Sequence, residues 1–211
     1  MTASQAAYER IREMLLTGDL HPGQFLKQKE LLALLGLSLG PVRIALIRLE
    51  TEGYLHIYPQ KGIQMVESTM DLFREMLQAR IALEKEAWCK FALAGSEAEI
   101  NSFLETQQRL AETAKKNDSE EFFQEVHIAD ISMHKYVIQH MGNGVIEKQF
   151  RIVTEIARSL RKDRGRMTQN NVHKTLNTHI DIITACKKRD FTAIPAAVEN
   201  HIMVALIYFC S

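Results

Sequence analysis

Within residues 6–17, the apolar positions Tyr8, Ile11, Met14 and Leu15 recur at the spacing of one helical face. Gly18-Asp19 and His21-Pro22-Gly23 stop that helix and turn the chain. A short helix follows over Lys29–Leu35, with Gly36 suited to the left-handed residue that ends it. Ser38 stands where an N-cap belongs, and Pro41 falls in the first turn of a third helix, Gly40–Glu52. Beyond Gly53 the apolar period drops to about two. Tyr54–Tyr58 and Ile63–Val66 alternate on either side of Pro59-Gln60-Lys61-Gly62, which predicts a hairpin. Leu31, Leu34, Val42, Leu46 and Leu49 are the expected core of this region. Three helices and a hairpin in this order predict a winged helix-turn-helix.

From about Thr69 the period is helical throughout. Helices are expected over 70–94, 97–116, 119–140, 144–163, 169–188 and 190–209. The breaks are Gly95-Ser96, Asn117-Asp118, Gly142-Asn143-Gly144, Gly165-Arg166 and Arg189-Asp190. Connections this short predict an antiparallel six-helix bundle. The fold class is therefore mainly α, with a winged helix-turn-helix domain over 1–68 and an all-helical domain over 69–211.

A formal net charge of +0 gives the chain no global attraction to nucleic acid or to acidic membranes, so any DNA binding must come from local charge. Cys89, Cys186 and Cys210 lack zinc-finger or CxxC spacing and read as thiols of a reducing compartment. The start of the chain has neither the basic residues nor the apolar run of a signal peptide. The most apolar stretch, Ile202–Cys210, is far short of the roughly 20 residues that span a bilayer. The expectation is a soluble, cytoplasmic protein with no membrane partner.

A recognition helix enters the major groove by its N-terminal residues, while basic side chains and backbone amides hold phosphates. Here that places Ser38, Leu39, Gly40 and Arg43 toward bases, Lys29 on the preceding helix, and Lys61-Gly62 at the wing tip. The run Gly18-x-Leu20-x-Pro22-Gly23, Glu30-Leu31, Leu35-Gly36-Leu37-Ser38, Pro41-Val42-Arg43-x-Ala45-Leu46-x-x-Leu49 and Glu52-Gly53 resembles the head of GntR-type bacterial regulators over about residues 8–66. In that family an Arg and a Thr usually follow the Ser, and the Arg reads bases. This chain has Leu39 and Gly40 instead, and Ile44 where Glu is typical. A bidentate Arg–guanine contact is worth about 1–3 kcal/mol of discrimination. Leu39 cannot supply it, although it can touch a thymine methyl. Acidic and basic residues of the head also balance, which predicts a shallow salt dependence of DNA binding.

In the second domain, Asp130 and His134 are at i and i+4 on one helical face, spaced to hold a single cation. His179 and His201 lie near the middles of the last two helices, and an antiparallel bundle can point both at that pair. His127 shares the face of Asp130 and His134 and is an alternative ligand, whereas His21, His56, His140 and His173 converge on nothing. Three imidazoles and a carboxylate suit Zn²⁺, Ni²⁺, Mn²⁺ or Fe²⁺.

Asp130-x-x-x-His134, Gly142-Asn143, His179-x-x-Ile182, Asp190, Ala197 and His201, with Arg80-x-x-Leu83-Glu84 in the opening helix, resemble the FCD effector domain of the FadR subfamily. Six helices make the domain look like the shorter, VanR-like branch. The resemblance implies a divalent metal on the Asp and three His, with a small organic acid at the metal. Arg80 is the expected second donor to that acid, unless it is spent on an i, i+4 pair with Glu84. Asn143 is expected to cap the following helix, and Arg158, Arg161, Lys162, Arg164 and Arg166 read as a solvated basic end. The implied protein is a dimeric, ligand-responsive repressor or activator on pseudopalindromic operator DNA. A metal-only sensor is the alternative. A metal-dependent hydrolase ranks below both, because no HExxH or comparable catalytic motif is present.

Overall fold

The computed structural model describes residues 1–161 and 167–207. Lys162, Arg164 and Arg166 of the basic end, the Gly165-Arg166 break, and Tyr208, Phe209 and Cys210 lie outside the described residues. The described chain is mainly helical with a small sheet near its N-terminus. In order it forms α1 (Ala3–Thr17), β1 (Phe25–Leu26), α2 (Gln28–Leu35), α3 (Leu39–Thr51), β2 (Leu55–Tyr58) and β3 (Gly62–Met65). The helices α4 (Met70–Ala94), α5 (Glu97–Ala114), α6 (Glu120–Gln139), α7 (Gly144–Leu160), α8 (Val172–Lys187) and α9 (Ala193–Ile207) follow. Two compact units result, Met1–Phe73 with Glu155–Arg164, and Arg74–Thr154 with Gly165–Ser211.

In the first unit, α1 ends at Gly18, left-handed with φ 91°, whose N–H reaches the Met14 carbonyl. Gly36 ends α2 in the same way, with φ 63°. The turn from Gly36 to Ser38 then sends α3 off at 108° to α2, within the range of helix-turn-helix pairs. Helix α3 begins one residue before its expected start. Ser38 holds the extended N-cap position, but its side chain accepts no capping bond, so the expected cap is positional only.

One face of α3, Val42, Ala45, Leu46 and Leu49, is buried together with Leu31 and Leu35 of α2. Leu34, expected in this core, is instead 50% exposed. With Leu31 and Leu35 turned inward four residues apart, Leu34 falls off the buried stripe. Strand β1, too short to leave a period in the sequence, joins the hairpin in an antiparallel sheet of order β1-β3-β2. It explains Gly62: a Cβ there would lie 2.5 Å from the Leu26 carbonyl oxygen and against the Phe25 ring.

The end of α7 belongs to this first unit by its bonds. Arg12 Nε donates to Glu155 Oε2 at 2.7 Å, Tyr54 Oη donates to the same oxygen at 2.6 Å, and Ser68 Oγ donates to the Leu160 carbonyl at 2.6 Å.

In the second unit, the starts of α5, α6, α7 and α9 are fixed by local caps. Ser96 and Glu99 form a reciprocal capping box for α5, and Ser119 accepts from Phe122 N at the start of α6. Asn143 Oδ1 accepts from the Val145 and Ile146 amides and so caps α7 as expected, and Asp190 Oδ1 does the same for Thr192 and Ala193 ahead of α9. Helix α8 packs against both α5 and α9, and its buried face includes Leu176, His179, Ile182 and Ile183. That packing carries two of the polar residues described next into the interior. Among the described residues, no single helix is long and apolar enough to cross a membrane.

Candidate metal centre and DNA-reading face

Asp130 and His134 of α6, His179 of α8 and His201 of α9 converge, each offering one ligand atom, all within 4.8 Å of one another. His127 is buried on the same helix but is not part of this group. Burial of three imidazoles is unfavourable unless their polar atoms are satisfied, and here each has an outward partner. His134 Nδ1 lies 2.5 Å from Glu84 Oε2, His179 Nδ1 lies 3.1 Å from Gln107 Oε1, and His201 Nδ1 lies 3.0 Å from Thr178 Oγ1. With every Nδ1 engaged outward, the Nε2 atoms are left for the centre. Such outer partners fix ring orientation and raise ligand basicity.

The inward atoms are spaced as ligands around one ion. His134 Nε2 and His179 Nε2 are 3.2 Å apart, and Asp130 Oδ1 lies 3.1 Å from His179 Nε2 and 3.6 Å from His134 Nε2. Metal–ligand bonds of about 2.0–2.1 Å place neighbouring ligands roughly 2.9–3.4 Å apart. The donor set, with His179 Nε2 within 3.2 Å of both His134 Nε2 and Asp130 Oδ1, therefore suits a first-row divalent cation, which Asp130, His134, His179 and His201 would hold.

Electrostatics around the centre are strongly coupled. Burial disfavours the Glu84 carboxylate, but the Arg80 and His134 charges and hydrogen bonds outweigh it and hold its pKa down to about 2. Burial also opposes the His134 cation, yet Glu84 and the Asp130 hydrogen bond raise that pKa to about 9. His179 and His201 shift the other way, pushed down first by burial. Asp130 is held well below the usual carboxylate range, its burial outweighed by hydrogen bonds to His134 and His179. Arg80 Nε pairs with Glu84, one turn along α4, so the i, i+4 pair is formed. An Arg80–Glu84–His134 chain thus runs from α4 to the centre.

In the sequence Glu84 stands as the i, i+4 partner of Arg80 and in the Arg80-x-x-Leu83-Glu84 pattern, with nothing to mark it as a partner of His134. Gln107 carried no signal beyond being polar, and Thr178 only its place beside His179. Their roles depend on which helices meet.

On the first unit, Lys29, Ser38, Leu39, Gly40, Arg43 and Lys61 are all exposed, and Gly62 is half-buried in β3. Among the described residues Lys29, Arg43 and Lys61 have no ion-pair partner, whereas Arg12 is paired with Glu9 and Glu155 and Arg48 with Glu52. These three exposed cations can face phosphates or bases. The other exposed residues of α3 are Leu39, Gly40, Ile44, Ile47, Glu50 and Thr51.

Residues 3–65 match the family described as "Bacterial regulatory proteins, gntR family", and residues 75–203 match the FCD domain. An uncharacterized HTH-type transcriptional regulator in the TAR-I ttuE-ttuC' intergenic region of Agrobacterium vitis is 31% identical over 116 residues, 54% of this chain and 68% of that protein. The HTH-type transcriptional repressor RspR of Escherichia coli (strain K12) is 27% identical over 205 residues, 94% of this chain and 85% of that protein. The solved structure of E. coli McbR/YncC shares the fold with a TM-score of 0.71 at 17% identity, covering 98% of each chain. With a DNA-binding winged helix-turn-helix of the GntR type followed by an FCD domain, the chain belongs to the GntR/FCD family of bacterial transcriptional regulators.

Proposed function

We propose that this regulator binds operator DNA as a homodimer and responds to a small organic acid that docks at a divalent cation in the FCD domain. The observation that carries the reading is the convergence of Asp130, His134, His179 and His201, each imidazole braced from outside. A cation in such a low-dielectric setting is a strong receptor for carboxylate oxygens when coordination positions stay open. Arg80 serves as second donor only through its terminal nitrogens, because its Nε is committed to Glu84. An effector shifts the heads only by binding one arrangement of the dimer better than another. Repression is the favoured direction, by analogy with the relative RspR, which is named a repressor.

Thermal-shift screening of small carboxylates on metal-loaded and chelated protein tests this reading. A ligand present at about 100 times its Kd adds about 2.7 kcal/mol to folding. The expected result is stabilisation that needs both metal and carboxylate. Stabilisation and operator release with metal alone favour the ion itself as the signal. Stabilisation by a carboxylate that is indifferent to chelation contradicts the metal-centred pocket.

A further inference from the structure

The outward face of α3 carries an unusual surface for a helix that enters DNA. At roughly 100° per residue, the side opposite the buried Val42, Ala45, Leu46 and Leu49 is shared by Gly40, Arg43, Ile44 and Ile47, with Thr51 at its C-terminal end and Arg48 and Glu50 on its flanks. Ile44 is 62% exposed, Ile47 is 54% exposed, and Leu39, at the N-terminal edge of that face, is 49% exposed. Gly40 adds no bulk between them, and a Cβ there would meet open space, so packing does not demand a glycine. Exposed branched apolar side chains grouped on one helix mark a contact surface. This group is continuous with Arg43 on the reading helix of the DNA-binding unit, so its occupant is the major groove.

In that groove the apolar feature on a base edge is the 5-methyl of thymine, which distinguishes A·T from G·C and T·A from A·T. We propose that Leu39, Ile44 and Ile47 read thymine methyl groups, with Arg43 as the principal polar contact beside them. The operator half-site is then thymine-rich where α3 lies. This rests on the DNA-binding reading of the head and adds the chemistry by which it chooses sequence. Each methyl buried contributes about as much as one buried CH₂, a factor of about four in affinity.

The test uses the full chain and duplexes enriched from a random-sequence library, remade with deoxyuridine in place of thymidine. Affinity for both is measured by fluorescence anisotropy at fixed salt. The expected result is thymine-rich half-sites and binding weakened about fourfold for each contacted methyl removed. The double variant Ile44→Ala with Ile47→Ala should bring the thymine-to-uracil ratio toward one while its thermal midpoint stays near that of the wild type. Arg43→Ala should weaken both duplexes alike and leave the ratio intact. A wild-type ratio near one, or a ratio unchanged in the double variant, overturns the methyl reading and leaves DNA binding standing. Failure to enrich any sequence overturns the DNA-binding reading and this proposal together.

Discussion

The two functional regions of this chain are built on opposite physical terms. The candidate metal centre gathers ionisable side chains from α4, α6, α8 and α9 in the interior, where each imidazole of the cluster has a partner. The candidate reading face lies on one short helix at the surface and sets Arg43 beside the exposed Leu39, Ile44 and Ile47. In the centre, charge is concentrated and the low dielectric makes each pairing strong. On the candidate reading face charge is sparse, and the proposed selectivity joins methyl contacts to the one polar contact of Arg43. Substitution should therefore be costly to folding in one region and nearly free in the other, where it changes only what is recognised.

The sharpest contrast is expected between Glu84→Gln and Ile47→Ala. Glu84 is buried and takes both Arg80 and His134. Removing its charge leaves Arg80 without its counter-ion, a kind of loss that costs about 3–5 kcal/mol. It should also weaken divalent-metal affinity about 10–100-fold, as removal of an outer partner commonly does. Ile47→Ala, at an exposed position, should change stability by less than about 0.5 kcal/mol. Chemical denaturation of both variants checks the pair, and similar losses in the two would dissolve the comparison.

A smaller effect is expected from pH on the metal-free protein. His179 and His201 have depressed pKa values in the fold, so below about 6.5 the unfolded chain takes protons that the folded chain refuses. Their contribution is present above about 6.5 and is lost as pH falls. His134 is raised to about 9, so its contribution is full below about 6.5 and is lost as pH rises through about 9. The chelated protein should have its highest thermal midpoint at about pH 6.5, where both contributions are closest to full. Melting curves across about pH 5–9 test it, and a midpoint still rising at about pH 9 would contradict the His134 assignment.

The regions also differed in how far the sequence revealed them. The convergence of Asp130, His134, His179 and His201 was legible from the i, i+4 pair, the mid-helix places of His179 and His201, and the resemblance to the FCD domain. Glu84, Gln107 and Thr178 were not legible as a set, since their partnership arises only where α4, α5 and α8 meet α6 and α9. In the head, the capping glycines and the change of period located every helix and the hairpin to within a few residues. The two-residue β1 was too short to show a period, and Leu34 was read as core because apolar character alone does not tell Leu34 from Leu35. The attachment of Glu155 to Arg12 and Tyr54 spans too much sequence to be read from any local pattern. The departure at Leu39-Gly40 was visible from the start. Its companions Ile44 and Ile47 became meaningful only when both were seen exposed on the same face.

The central claim is that Asp130, His134, His179 and His201 hold one divalent cation. Its most direct test is calorimetric titration of Zn²⁺, Ni²⁺, Mn²⁺ and Fe²⁺ into chelator-stripped full chain and into the His134→Ala, His179→Ala double variant. One ion should bind per chain in the wild type, with proton release on binding as His134 deprotonates. In the variant, affinity should fall by more than the roughly 100-fold that loss of an outer partner alone can cause. Binding of equal strength in the two proteins, or no binding of any of the four ions to the wild type, would contradict it.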